Sequence, residues 1–91
     1  MYAFRIIFCN VQFYKVNNVK DIAYIKMFGV QLQKIRLSKK MTQEALAYTS
    51  DIPISQVGRI ERGEINTTIS TVKVLSKALN ISVKEMFDFE L

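Results

Sequence analysis

Histidine and tryptophan are absent from the 91 residues, cysteine and proline occur once each, and glycine occurs three times. With no histidine and only Cys9, the chain lacks the ligand sets that zinc requires, and imidazole-based acid–base catalysis is excluded. A lone cysteine cannot close an internal disulfide, which fits a reducing cytoplasm. Few prolines and glycines argue against a loop-rich fold, and the 49% apolar share is that of an ordinary globular chain, so a helical domain is expected. Long apolar runs are also missing. Arg5, Asn10, Gln12 and Lys15 interrupt the stretch from Met1 to Val16, and no small-residue cleavage site follows it. Bulky Phe8 before Cys9 speaks against lipoprotein processing, and no run approaches the ~20 apolar residues that span a bilayer. No phosphate-binding loop is visible either, so neither a cofactor nor an enzymatic activity is expected.

The length allows one domain at most. Acidic side chains are the minority, eight against thirteen Lys and Arg, for a formal charge of +5. That balance favours a polyanionic partner without deciding between nucleic acid and a membrane surface.

The chain changes character near Met27. Upstream, Tyr2, Phe4, Phe8, Phe13, Tyr14 and Tyr24 mix with β-branched residues, so Tyr2–Val16 reads as extended. Residues 1–26 are therefore taken as an atypical N-terminal extension, with Met27 as an alternative start, and residues 27–91 as the domain. Downstream the spacing is helical. Phe28, Leu32 and Ile35 share one face of a first helix over Phe28–Ser38, whose phase reaches back through Ile25 and Ile22 towards a cap at Asn18. Thr42 caps a second helix, Gln43–Ser50, with Glu44 in its first turn. Asp51 can adopt the left-handed conformation that ends it, and Pro53 enforces a tight connection. A third helix runs from Ser55 to Arg62 and stops at Gly63. Ser70 is expected to cap a fourth helix carrying Val72, Leu75, Ala78 and Leu79, ended by Asn80, and Ser82 opens a short fifth through Phe87.

Two short helices joined by a turn of about four residues within five form a helix-turn-helix, here about residues 43–62. The stretch from Phe28 through Glu64 resembles the Cro/repressor-type (Xre) helix-turn-helix family, in Thr42 and Gln43, Leu46 with Ala47, Val57, and the run Ile60–Gly63. The segment from Ile69 to Phe87 resembles the last two helices of that domain. The resemblance implies an all-α, five-helix, lambda-repressor-like fold that binds double-stranded DNA and regulates transcription, as a repressor and a homodimer. Asp51 departs from the family's usual glycine. Val57 and Ile60 face inward, leaving Ile54, Ser55, Gln56 and Arg59 for base contacts, with Arg59 fitted to guanine O6 and N7. By resemblance Gln43 is a phosphate clamp, and Lys39, Lys40, Thr42, Arg62, Asn66 and Thr67 are further phosphate contacts. Arg36 and Glu61 match a salt bridge tying the first helix to the third. Gly58 suggests close approach of another group to a bare backbone. Phe89 and Leu91 are the expected dimer contacts, with Met86 and Phe87 more inward.

Two alternatives have the same fold. An antitoxin would use residues 1–26 to dock a toxin partner. A protein-interaction module would need a neutral or acidic reading helix, against which stand Lys34, Arg36, Lys39, Lys40, Arg59 and Arg62 facing only Glu44, Asp51 and Glu61.

Overall fold

The computed structural model describes residues 20–90, so the extended stretch Tyr2–Val16, Cys9, Asn18 and Leu91 lie outside the described residues. The described chain forms five helices: α1 (Ile22–Ser38), α2 (Gln43–Ser50), α3 (Ile54–Glu61), α4 (Ile69–Leu79) and α5 (Val83–Met86). The apolar spacing that marks Phe28–Ser38 continues to Ile22, where Asp21 caps the helix by accepting from the Tyr24 N–H at 3.0 Å. The boundary at residues 26 and 27 therefore falls inside α1, and residues 22–26 are helical rather than part of a separate segment. Tyr24 packs on Phe89 with ring centroids 5.1 Å apart, tying this first turn to the C-terminal end of the domain.

Thr42 caps α2 by accepting from the Ala45 N–H at 3.0 Å. The fourth helix begins earlier than its spacing suggests. Thr68, not Ser70, accepts from the Thr71 N–H at 3.2 Å, and Ile69 enters the helix while 87% exposed. Ser82 caps α5 in the same manner.

Four helices end the same way, through a left-handed residue at Lys40, Asp51, Gly63 or Asn80. At each, a 6→1 backbone bond closes the turn: Met41 N to Arg36 O, Ile52 N to Ala47 O, Glu64 N to Arg59 O and Ile81 N to Ser76 O, all between 2.9 and 3.2 Å. These are Schellman closures, which satisfy the last carbonyls of each helix.

Leu32, Leu46, Val57, Ile60, Leu75 and Leu79, none more than 1% exposed, form one core shared by α1 to α4, and Met86 seals it from α5. Each such side chain contributes about 1.5–3 kcal/mol by leaving water. Together they hold α3 against α1 and α2. At the α1–α3 crossing Gly29 is buried, and a Cβ there would collide with the carbonyl oxygens of Ile60 and Glu61. The missing side chain is what allows the two backbones to touch.

Candidate nucleic-acid interface

The third helix is held by polar groups as well as by its core face. Arg36 on α1 is 6% exposed and donates from Nε to Glu61 Oε2 at 2.6 Å, from Nη2 to Glu61 Oε1 at 3.1 Å and from Nη1 to the Met41 carbonyl at 2.7 Å. The fork therefore grips the end of α3 and the loop before α2 at once, with the bidentate geometry that only arginine supplies. Glu61 Oε1 also accepts from Gln43 Nε2 at 2.9 Å. Gln43, read above as a phosphate clamp, is thus half-buried and oriented by Glu61. An amide nitrogen has two hydrogens, so one remains for an anion. This α1–α3–α2 triad is longer than the Arg36–Glu61 pair that the sequence indicates, because residues eighteen apart met only on folding.

With Val57 and Ile60 inward, α3 leaves Ile54, Ser55 and Arg59 exposed and Gln56 half-buried. Its N-cap is Pro53, which offers no side-chain cap to the first turn. Uncapped N–H groups at a helix start favour anions. Gly58 is buried under side chains: a Cβ there would stand 3.0 Å from Arg62 Nη1 and 3.6 Å from Gln43 Oε1. The Arg62 guanidinium thus lies across the bare turn at Gly58, between Gln43 and Glu64.

Glu64 is the residue that sequence reasoning missed. It accepts from Arg62 Nε at 2.7 Å and Nη2 at 3.4 Å, and its Oε1 lies 3.9 Å from Arg59 Nε. Hydrogen bonding to Arg62 holds the Glu64 carboxyl below the ordinary carboxylate range, and the same bond raises the Arg62 guanidinium further. The spacing Arg59, Arg62, Glu64 was visible; the turn at Gly63 that folds Glu64 back was needed to make it meaningful.

Lys39, Lys40 and Thr42 are exposed in the loop that leads to α2. Lys40 sits at φ 58°, where a Cβ costs roughly 1–2 kcal/mol and glycine is the usual occupant. A lysine kept in a strained position beside Thr42 and Gln43 suits a phosphate contact. Lys40→Gly is expected to raise stability by about 0.5–1 kcal/mol, seen as a higher melting temperature, while flattening the salt dependence of duplex binding by about one unit of slope per subunit. Unchanged binding would remove Lys40 from the interface.

Asn66 and Thr67 are placed differently. Along with Tyr24, Ile25, Phe28 and Phe87 they line a cavity of about 130 Å³ between α1 and α4. Phe89 is half-buried against Tyr24 and Phe87, whereas Phe87 itself is 37% exposed, reversing the order expected for the two. Among the described residues, the large apolar side chains most open to solvent are Tyr48 at 89% and Ile69 at 87%.

Comparison with known proteins agrees with this geometry. A helix-turn-helix family model matches residues 32–86. The control protein C.BamHI of Bacillus amyloliquefaciens is 39% identical over 64 residues, covering 69% of this chain and 79% of that protein. The control protein C.SmaI of Serratia marcescens is 33% identical over 69 residues, 72% of this chain and 82% of that protein. Among solved structures, the restriction-modification controller protein C.AhdI of Aeromonas hydrophila superposes with a TM-score of 0.68 at 37% identity, covering 71% of this chain and 97% of that one.

Proposed function

The chain belongs to the helix-turn-helix family and is a DNA-binding regulator of transcription, and on that premise we propose that it is a controller of restriction-modification genes. It acts in the cytoplasm as a homodimeric repressor, each subunit placing α3 in the major groove of one half of a paired site. Among the described residues no helix is long and apolar enough to cross a membrane. One eight-residue helix reads too few base pairs to be selective alone, which is why two copies are needed. The function is binding rather than catalysis. The antitoxin alternative finds no support in the relatives, which are named as control proteins. The observation that carries the reading is the buried Arg36–Glu61 pair with half-buried Gln43 joined to it, which fixes α3 while leaving Ile54, Ser55 and Arg59 exposed on it.

Phosphate contacts come from Gln43, Thr42, Lys39 and Lys40 around the start of α2, and from Arg62. Base contacts come from Arg59, with Ser55, Gln56 and Ile54 alongside. Asn66 and Thr67 are secondary, since their loop also walls the apolar cavity. With Phe89 packed within its own chain, Tyr48 and Ile69 are the better candidates for the dimer contact.

The test begins with selection of bound duplexes from a random pool, which should return a near-palindrome. On that sequence Arg59→Ala should cost about 1–3 kcal/mol per half-site, with the melting temperature nearly unchanged because the side chain is exposed. Random duplex should lose much less, its affinity coming from phosphates. Equal losses on both would show that Arg59 contacts phosphate only. An unrelated set of genes next to the recovered site would sink the controller assignment while leaving DNA binding intact.

A further inference from the structure

The basic excess between Lys34 and Arg62 lies mostly before α3, and along α3 and its following turn the charges are matched. From Ile54 to Glu64 the chain carries Arg59 and Arg62 against Glu61 and Glu64. Glu61 is buried and already engaged by Arg36, so Glu64 is the carboxylate that faces the two exposed arginines. Its position is not a chance of side-chain rotation. Gly63 at φ 72° turns the chain, and the Glu64 N–H closes on the Arg59 carbonyl at 2.9 Å, so the backbone of Glu64 is bonded to the very residue whose side chain it approaches. The carboxylate then takes Arg62 at 2.7 Å and comes within 3.9 Å of Arg59. Arg62 in turn lies over Gly58 and next to Gln43. A group that withdraws Arg62 therefore acts at the centre of the surface that α2 and α3 share.

We propose that Glu64 is an internal competitor for the DNA backbone, a carboxylate that occupies Arg62 and draws on Arg59 in the free protein and must be displaced by phosphate when the duplex binds. This rests on the reading of α3 and its flanks as the DNA surface. The exchange is chemically simple. The Nε–Nη2 edge of Arg62, which holds the carboxylate, can hold one phosphate in the same geometry, and that edge cannot hold both. The side chains are half exposed, so the Arg62–Glu64 pair is weak enough to be broken on binding. The exchange at Arg62 is independent of base sequence, so Glu64 lowers affinity for every duplex. Occupancy of the many non-specific sites drops, and only sites where base contacts add to the phosphate contacts remain filled.

Glu64→Gln in the full chain keeps the size of the side chain and the backbone closure and removes the charge. It is expected to bind a random-sequence duplex about three- to tenfold more tightly at low salt, with log K falling more steeply against log salt by about one unit per subunit, as one more phosphate is neutralised. In an Arg59→Ala, Arg62→Ala background the same substitution should bring no gain, because the competition runs through those two arginines. Unchanged or weaker binding by Glu64→Gln, while the arginine double variant loses affinity, overturns the competitor and leaves the α3 surface standing. A gain that persists without the arginines also overturns it, since Glu64 would then be only a surface charge. If the arginine double variant binds duplex as the parent does, the α3 reading itself has failed, and the competitor with it.

Discussion

Arg36→Ala should lower unfolding stability by about 3–5 kcal/mol, a large part of the 5–15 kcal/mol that a domain of this kind possesses. The loss is not mainly that of an attraction. Removal of the guanidinium leaves the Glu61 carboxylate, whose side chain is 2% exposed, with Gln43 as its remaining partner, and frees the Met41 carbonyl from its 2.7 Å bond. A buried charge without its counter-ion is what makes the change costly. Since 1 kcal/mol moves the melting temperature of a small domain by about 4–8 °C, the variant should melt at least 12 °C lower. The companion Arg36→Met with Glu61→Leu separates stability from function. Removing both charges together should restore most of the stability, because no unpaired ion is left. DNA affinity should stay reduced, since Gln43 has then lost the group that orients it. A single variant that melts with the parent would show that Glu61 finds water or another donor, and that the triad does not fix α3.

How much of this could be read from the sequence depends on how far apart the partners are along the chain. Thr42 as cap, Gln43–Ser50 as helix and the stops at Asp51, Gly63 and Asn80 are all decided within four or five residues, and these hold in the structure. The left-handed Lys40 escaped notice because no side-chain chemistry favours it; only the closure of Met41 N on Arg36 O requires it. Thr68 and Ser70 are equally able caps, and an apolar Ile69 between them reads as the end of a loop until its exposure is known. The cap at Asp21 is not singled out by the sequence, because the apolar spacing of α1 does not mark which polar residue before Ile22 turns back onto the first turn. At the site, Arg36 and Glu61 come from a family pattern and are found paired. The Gln43–Glu61 bond, the Arg62–Glu64 pair and the inward packing of Phe89 depend on how helices and turns meet, which no local pattern encodes.

Gly29 is where local preference and packing give opposite signs. In an isolated helix, alanine would be favoured over glycine at this position by about 1 kcal/mol, so on propensity alone Gly29→Ala should stabilise α1. In the folded domain the new methyl group would run into the main-chain carbonyl oxygens of Ile60 and Glu61, neither of which can rotate away as a side chain could. The helices must separate instead, and the 2.6 Å bond from Arg36 to Glu61 crosses the same gap, so it is stretched as they part. Overpacking of this kind costs about 1–3 kcal/mol and sometimes more. The upper end is expected here, because backbone rather than side chain must move and a buried ion pair is strained with it. Gly29→Ala should therefore melt at least 10 °C lower, by the conversion of about 4–8 °C per kcal/mol, and bind duplex less tightly because α3 is displaced from α2. A melting temperature equal to or above that of the parent would mean that propensity prevails and that α1 and α3 have room to spare at their crossing.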